Sequence, residues 1–142
     1  MVRGRGLREW GLAIPAPGHN SGGVVLVADD DADIRTMLRT LLELDGCEVV
    51  EAEDGQAAWR LIKEQEPAVA VVDVQMPGLD GLDICRLVRR THLPCKVIVY
   101  TAGMATEEQA RAAGCDQYLL KTEPLPQLRD AVRRYLQARP PE

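Results

Sequence analysis

Hydrophobic and polar positions along the chain alternate between short apolar runs and longer segments with a helical period. Residues 24–28 form an apolar run, and apolar side chains then recur at positions 34, 37, 38, 41 and 42, the spacing of a one-sided helix. The alternation repeats and predicts strands at residues 24–28, 48–52, 68–72, 96–100 and 117–120. It predicts the intervening helices from apolar faces within residues 34–42, 57–62, 82–90, 107–113 and 126–138.

The predicted strands are continuous apolar runs rather than alternating ones, which is typical of a parallel sheet covered on both faces. Five such strands separated by five helices predict an α/β, doubly wound (βα)5 fold of the flavodoxin-like kind. Because parallel crossovers are right-handed, the strand order 2-1-3-4-5 is favoured. The length of 142 residues suits one domain, which we predict to span residues 23–138.

The two ends of the chain are predicted to lie outside this domain. Residues 1–22 are rich in Gly, Pro and Arg and lack a sustained period, which predicts a flexible N-terminal arm. Its apolar residues Leu7, Trp10, Leu12 and Ile14 leave docking onto the domain open. No continuous apolar segment follows its arginines, so a targeting peptide is not indicated. Residues 139–142 are predicted to form a short C-terminal tail.

Composition and charge exclude several classes of function. With 17 basic and 22 acidic residues the net charge is -5, which predicts no direct nucleic acid binding and favours protein or small-molecule partners. No apolar run is long enough for membrane insertion, and a cytoplasmic location is expected. The four cysteines are widely spaced, without a CxxC motif, and are predicted to be core residues rather than zinc ligands or disulfides.

Polar side chains follow the predicted strands at the point where each one ends. In a doubly wound sheet these carboxyl ends meet at one site, beside the switch in strand order. The residues brought together are Asp29, Asp30, Asp73, Thr101 and Lys121. Clustered carboxylates repel one another unless a cation lies among them, and oxygen ligands are those that Mg²⁺ prefers. Asp73, at the centre, is placed to act as a nucleophile toward a phosphoryl group.

Four stretches resemble the receiver domain of two-component response regulators. They are "VLVADDD" at 25–31, "VVDVQMPGLDG" at 71–81, "VIVYTA" at 97–102 and "QYLLK" at 117–121. The resemblance implies that Asp73 is the phosphoacceptor. It implies an Mg²⁺ site in which Mn²⁺ can substitute. The site is formed by Asp29, Asp30, Asp73 and the backbone carbonyl of Gln75, and the resemblance favours Asp30 over Asp29 as the direct ligand.

The resemblance also implies a partner and a switch. The phosphoryl group comes from a histidine kinase or a histidine phosphotransfer protein, and the receiver catalyses its own phosphorylation and dephosphorylation without being a conventional enzyme. Thr101 and Lys121 contact the phosphoryl oxygens, and Thr101 and Tyr118 form the switch. The signal leaves through the fourth helix, fifth strand and fifth helix to a downstream protein or a second copy. We expect that contact at Ala110, Ala112, Ala113 and the non-core residues of 125–136.

One departure and several alternatives stay open. Receivers usually have Pro, in a cis bond, after the Lys, whereas Lys121 is followed by Thr122, so the cis or trans state of this bond is undecided. The chain ends soon after the fifth helix, which suggests a single-domain regulator or a part of a longer one. Asp31, Asp33 and Asp80 are expected to cap helices rather than bind metal.

Two other functions compete with phosphorylation. A pseudo-receiver would dock partners without being phosphorylated, although the complete set of five pocket residues argues against it. A phosphatase of the haloacid dehalogenase type would use the Asp29-x-Asp31 pattern, but it needs a further acidic pair after the Lys and usually a cap domain. Flavin binding is disfavoured because the acidic triplet after the first strand would repel a phosphate group.

Overall fold

The computed structural model describes residues 23–137, in which strands and helices alternate strictly. The strands are β1 (Val24–Ala28), β2 (Glu48–Ala52), β3 (Val69–Val72), β4 (Lys96–Thr101) and β5 (Gln117–Leu120). The helices are α1 (Ala32–Leu44), α2 (Gly55–Gln65), α3 (Gly81–Thr91), α4 (Glu107–Ala113) and α5 (Leu125–Gln137).

All five strands are parallel and form one sheet in the order β2-β1-β3-β4-β5, which confirms the predicted fold class and strand order. Its register pairs Val24 with Glu48 and Val25 with Val69. The central strand β3 is buried along its whole length, as its continuous apolar run predicts. The chain therefore reverses its winding direction at β1, and the carboxyl ends of β1 and β3 lie side by side at that switch.

Two apolar layers cover the sheet, one on each face. On one face α2, α3 and α4 pack against alternate strand residues such as Leu26 and Ala70. On the other face α1 and α5 pack against the intervening residues, such as Val25 and Val71. Each strand therefore contributes apolar side chains to both layers, which is why the strands read as continuous runs.

Helix caps explain where several helices begin. The Asp31 carboxylate accepts hydrogen bonds from the backbone N–H groups of Asp33 and Ile34, and Asp80 forms a capping box with Asp83 at the start of α3. The predictions that Asp31 and Asp80 are caps are confirmed. Asp33 lies in the first turn of α1 instead of capping it, where its negative charge still favours the helix N-terminus.

One predicted surface is partly wrong. Ala110 and Ala113 on α4 are buried in the apolar layer, so they are not available to a partner, whereas Ala112 is exposed. A seven-residue helix that packs on a sheet must bury one stripe along its length, and these two alanines, three residues apart, form that stripe. The partner surface on this side is therefore narrower than predicted.

The remaining expectations concern the cysteines, the Lys121–Thr122 bond, membrane spans and the two ends of the chain. All four cysteines are free and buried, as predicted for core residues. Every peptide bond within residues 23–137 is trans, so the Lys121–Thr122 bond is trans. No helix in the same range is long and apolar enough to cross a membrane. The N-terminal arm at residues 1–22, the tail at 139–142 and the predicted last helical residue, Ala138, lie outside the described residues.

Candidate functional site

Two buried aspartates stand immediately beyond the carboxyl ends of neighbouring strands. The backbone N–H of Asp29 donates to the carbonyl of Ala52, and that of Asp73 donates to the carbonyl of Ala28. These bonds continue the sheet ladder one residue past β1 and β3 and hold both backbones in place. The side chains nevertheless lie inside the fold, since Asp29 is 2% and Asp73 is 6% exposed. Buried carboxylates of this kind need compensating partners.

Lys121, which follows the edge strand β5, supplies part of that compensation. Its backbone N–H donates to the carbonyl of Thr101 at 2.8 Å, which fixes the residue just after β5. From there the ammonium Nζ lies 2.7 Å from Oδ2 of Asp29 and 3.0 Å from Oδ2 of Asp73. One cation thus contacts both buried carboxylates, as the positions of these residues at the strand ends predict.

The titration of these groups reflects the crowding. Burial raises the pKa of Asp29 above its ordinary value, and the charge of Asp73 adds to the rise, although hydrogen bonds from Lys121 and the N–H of Asp31 oppose it. Burial disfavours the charged form of Lys121, but its hydrogen bonds to Asp29 and Asp73 outweigh burial and raise its pKa. Lys121 therefore stays an ammonium, while the negative charge around it is only partly neutralised.

A third carboxylate completes a cluster with the donor set of a divalent-metal site. Asp30 is exposed, and carboxylate oxygens of Asp29, Asp30 and Asp73 all lie within 4.8 Å of one another. Three carboxylates against one ammonium leave an excess of negative charge, which an oxygen-seeking cation such as Mg²⁺ would relieve. The residues present therefore fit the predicted metal.

Gln75 lies beside this cluster through its backbone. Its N–H donates to Oδ1 of Asp73 at 3.3 Å, and its side chain is exposed. The bond holds the first residues of the β3–α3 loop against the Asp73 carboxylate. That a carbonyl from this position would bind the metal stays a prediction.

Thr101 and Tyr118 occupy neighbouring strands near the site. Thr101 is fully buried at the end of β4, and its hydroxyl accepts a hydrogen bond from the N–H of Gly103 at 3.4 Å. Tyr118 packs against the apolar layer of α2, α3 and α4, and its hydroxyl donates to the carbonyl of Ala105 at 2.6 Å. The phenol thus ties β5 to the β4–α4 loop, and that loop begins directly after Thr101.

Sequence reasoning missed one group that touches this site. Arg35, in the first turns of α1, donates from Nη1 to the backbone carbonyl of Asp29 at 2.7 Å and from Nε to Glu51 at 3.2 Å. It steadies the backbone that carries the buried carboxylate. A surface arginine on a helix gives no sequence signal for such a bond, because the acceptor is a backbone atom brought near only by the fold.

The fold and this site together define a response regulator receiver domain. The family model described as "Response regulator receiver domain" matches residues 25–133, and the chain belongs to that family. Among curated proteins it is 38% identical over 120 residues to the response regulator MprA of Mycolicibacterium vanbaalenii, covering 83% of this chain and 52% of that relative. The chain therefore spans about half the length of the curated relatives it matches.

Solved structures agree with this assignment. The signal receiver domain of NarL from Mycobacterium tuberculosis is 34% identical, with a TM-score of 0.75 and coverage of 82% of this chain and 98% of that one. The response regulator TrrA of Thermotoga maritima, in complex with Mg(2+)-BeF, is 27% identical, with a TM-score of 0.74 and coverage of 80% and 98%. The predicted resemblance is confirmed.

Proposed function

We propose that this chain is a phosphoacceptor receiver and that Asp73 accepts the phosphoryl group. One observation carries the assignment: Asp73 is buried at the open end of the central strand, yet it is hydrogen-bonded to the ammonium of Lys121 and adjoins the carboxylates of Asp29 and Asp30. A carboxylate placed only for packing would not be surrounded by like charges, because that arrangement costs free energy. It suits a nucleophile that works beside a metal.

The proposed reaction is a transfer from a partner's phosphohistidine. A carboxylate oxygen of Asp73 forms a bond to phosphorus while the N–P bond of the phosphohistidine breaks, and the electron pair returns to the imidazole, which takes up a proton. Lys121 and the hydroxyl of Thr101 would contact the phosphoryl oxygens and stabilise their charge. In the later hydrolysis a water molecule attacks the same phosphorus and the Asp73 carboxylate leaves.

The cofactor proposed for this chemistry is Mg²⁺, with Mn²⁺ able to substitute. Asp29, Asp30, Asp73 and the backbone carbonyl of Gln75 would hold it, and the ion would neutralise charge on the phosphoryl oxygens. The excess negative charge of the carboxylate cluster supports this set of ligands. The Mg(2+)-BeF complex of TrrA, a relative with the same fold, also supports it.

The location proposed for this chain is cytoplasmic. The partners proposed are a histidine kinase or histidine phosphotransfer protein upstream, and a downstream protein or second copy that binds the α4-β5-α5 surface. We place the switch at Thr101 and Tyr118. The hydrogen bond from Tyr118 to Ala105 supports this, since it links β5 to the loop between Thr101 and α4. Of the residues predicted for the contact on α4, the exposed Ala112 stays available.

The phosphoacceptor is tested with Asp73→Asn and a matched carboxylate-to-amide control, Asp80→Asn. Asp80 caps α3 outside the carboxylate cluster, and Asn is an equally good cap. With Mg²⁺ and a small-molecule phosphodonor, we expect wild type and Asp80→Asn to gain one phosphoryl mass and Asp73→Asn to gain none. Absence of the adduct from wild type overturns the proposal. An adduct on Asp73→Asn would mean that another residue accepts the phosphoryl group.

The switch is tested with Tyr118→Phe, which removes the hydroxyl and keeps the ring. Loss of the bond to Ala105 is expected to speed amide exchange in residues 102–110 about fivefold, as for a hydrogen bond of about 1 kcal/mol. Beryllofluoride should then change exchange there less than in wild type. Tyr135→Phe is the control, because Tyr135 packs against the opposite apolar layer and its hydroxyl donates to Asp116 and Gln117 at the start of β5. Equal beryllofluoride responses in all three proteins contradict a switch role.

A further inference from the structure

The side chain of Arg35 joins the first helix to the backbone of the carboxylate cluster. Its Nη1 donates to the carbonyl of Asp29 at 2.7 Å, and only 16% of the Arg35 side chain is exposed, so the guanidinium is not a free cation in solvent. The N–H of Asp29 donates to the carbonyl of Ala52, the last residue of β2. The Asp29 carbonyl therefore lies past the end of the sheet ladder, and Arg35 supplies a donor at the point where β2 ends.

Glu51, on β2, fixes the other side of the same guanidinium. Arg35 donates from Nε to Oε1 of Glu51 at 3.2 Å, and Arg39, one turn further along α1, donates from Nη1 to Oε2 at 2.6 Å. The hydrogen bond from Arg39 is the main cause that lowers the pKa of Glu51, burial opposes it, and the bond from Arg35 adds to the lowering. Glu51 therefore stays a carboxylate. The guanidinium of Arg35 is held between a side chain of β2 and a backbone carbonyl, a use of its planar fork of donors.

The bond to the Asp29 carbonyl determines how the chain continues to Asp30. A peptide group is planar, so fixing the carbonyl oxygen of Asp29 also restricts where the N and Cα atoms of Asp30 lie. The Oδ1 of Asp29 accepts a further hydrogen bond from the N–H of Asp31 at 2.9 Å. Asp30 is exposed and Asp29 is buried, yet their carboxylate oxygens lie within 4.8 Å of each other. The backbone between these two aspartates therefore sets their spacing, and Arg35 contacts that backbone.

We propose that Arg35 is a positioning residue for the metal site: by holding the Asp29 carbonyl, it keeps the carboxylates of Asp29 and Asp30 at the spacing that a divalent cation requires. A guanidinium has no acceptor atom, so Arg35 is not a ligand and acts through these two aspartates. The inference rests on the Mg²⁺ site of the proposed function and does not need phosphorylation of Asp73.

The sign of the effect of a substitution separates positioning from simple charge. A positive side chain near a cation site repels the cation, so its removal should tighten Mg²⁺ binding if charge alone matters. Loss of the bond to the Asp29 carbonyl should instead weaken binding, because the carboxylates must then be ordered when the metal binds. Residues that orient metal ligands typically contribute roughly 10–100-fold to metal affinity. Arg35 holds one backbone atom, so the lower end of that range is expected.

The test measures the Kd of Mg²⁺ by isothermal titration calorimetry on the full chain, without a phosphodonor. Arg35→Met removes every donor but keeps an unbranched side chain that favours a helix, and it is expected to weaken Mg²⁺ binding about tenfold. Arg35→Lys keeps the charge, but one ammonium does not reproduce the planar fork, so a loss of about threefold is expected. Arg39→Met is the matched control, because it removes the same charge and a bond to Glu51 but leaves the bond to the Asp29 carbonyl. Its Kd should stay within about twofold of wild type.

A second measurement needs no metal. In metal-free Arg35→Met the N–H of Asp31, which donates to Asp29, is expected to exchange about fivefold faster than in wild type. The N–H of Gly81, which donates to the carbonyl of Val74 in the β3–α3 loop, should exchange at the wild-type rate. A general loss of stability would speed both amides, so the comparison separates local loosening from unfolding.

The proposal is overturned if wild type binds no Mg²⁺, if Arg35→Met binds it as tightly as wild type or more tightly, or if Arg39→Met loses as much affinity as Arg35→Met. Should Arg35→Met fail to fold, an unchanged Kd in Arg35→Lys overturns the proposal in its place. A wild-type protein that binds Mg²⁺ but gains no phosphoryl mass would contradict the assignment of Asp73 as phosphoacceptor and leave the role of Arg35 intact.

Discussion

Lys121 holds two buried carboxylates with one ammonium group, through contacts of 2.7 Å to Asp29 and 3.0 Å to Asp73. Each carboxylate is taken out of water, and their mutual repulsion adds to that cost. The ammonium offsets part of this cost, and 19% of the Lys121 side chain stays exposed, so water screens some of the attraction. The residue that would contact a phosphoryl group is therefore also a residue that keeps the apo site folded.

Removing that ammonium should destabilise the protein and make it depend more strongly on Mg²⁺. Lys121→Gln leaves Asp29 and Asp73 without their cation, so we expect the free energy of unfolding to fall by about 2 kcal/mol. Added Mg²⁺ should recover more stability in Lys121→Gln than in wild type, because a divalent ion neutralises the carboxylates that the lysine no longer contacts. Urea denaturation with and without Mg²⁺ measures both effects.

The matched control for this experiment is Lys96→Gln, an exposed lysine at the start of β4. A surface substitution of this kind is expected to change the free energy of unfolding by less than about 0.5 kcal/mol and to leave the Mg²⁺ response unchanged. Equal losses in Lys121→Gln and Lys96→Gln would mean that the contacts to Asp29 and Asp73 contribute nothing to the stability of the apo protein.

For individual residues, the sequence predicts which side chains lie together at the site, but not how deeply each one is buried or which backbone groups are contacted. Asp29, Asp73 and Lys121 each follow a strand, and the carboxyl ends of parallel strands must lie at one edge of the sheet. The division between a buried Asp29 and an exposed Asp30 depends on side-chain direction after β1, where the strand alternation has ended. The bond from Arg35 to the Asp29 carbonyl depends on tertiary contact and has no pattern of its own.

The segment between β3 and α3 brings the start of α3 close to the backbone of Asp73. The capping box of Asp80 and Asp83 starts the helix, and the N–H of Gly81 donates to the carbonyl of Val74 at 3.2 Å. The first turn of α3 therefore lies directly against the backbone of the loop. A Cβ built on Gly81 would lie 2.4 Å from the carbonyl oxygen of Asp73. Only glycine allows the helix to begin this close to the backbone of Asp73.

Gly81→Ala should therefore disturb the site as well as the fold. The methyl group meets backbone atoms, which cannot move aside as a flexible side chain can, so either α3 or the Asp73 backbone must shift. We expect a lower free energy of unfolding, by about 1–3 kcal/mol as for an overpacked core, together with a slower gain of phosphoryl mass. Urea denaturation and the phosphodonor assay measure the two effects on the same variant.

Gly46→Ala separates the effect on stability from the effect on phosphorylation, because nothing lies within 4 Å of a Cβ built at Gly46. Its backbone has φ of +90°, so alanine there is strained and should cost about 1–2 kcal/mol. Gly46 lies between α1 and β2, far from the carboxylate cluster, so the phosphorylation rate should stay at the wild-type value. A wild-type rate in Gly81→Ala as well would show that the approach of α3 does not position Asp73.

Elements with long periodic patterns could be predicted closely from the sequence. The apolar stripe of α1 and the continuous run of β3 indicate both their type and their buried faces. The buried face of the short helix α4 is harder to predict, because its three alanines differ little in hydrophobicity from their neighbours and two turns define no clear apolar stripe. Its buried face was therefore assigned wrongly at Ala110 and Ala113, and the contact with the sheet decides it instead.

Across the whole molecule, the first and last helices are joined by an ion pair. Arg129 on α5 donates from Nε and Nη2 to the two carboxylate oxygens of Asp45, the residue that follows α1, at 2.9 and 2.5 Å. The strand order was predictable, because handedness and layer rules leave few topologies. The ion pair of Asp45 with Arg129 could not be predicted from the sequence, because 84 residues separate the two and their contact depends on how α1 and α5 pack.

The ion pair should make the free energy of unfolding depend on pH in the acidic range. Hydrogen bonds from Arg129 lower the pKa of Asp45 below its ordinary value of 3.8, and burial opposes them only in part. A carboxyl whose pKa is lower in the folded state contributes stability that is fully present above its unfolded pKa. That stability is lost as the pH falls through the folded pKa, since the folded state must then be protonated against the ion pair. The affected window therefore begins at about pH 4–5 and extends downward.

Asp45→Asn isolates this contribution. Above about pH 5 we expect its urea midpoint to lie below that of wild type by a constant amount. The difference should shrink as the pH falls through the folded pKa of Asp45, because wild-type Asp45 then becomes neutral as well. Asp130→Asn is the control, since Asp130 forms an exposed pair with Arg133 three residues along the same helix, and such pairs contribute little. A difference between wild type and Asp45→Asn that does not shrink at all as the pH falls would assign the loss to packing at the α1–α5 contact rather than to the charge of Asp45.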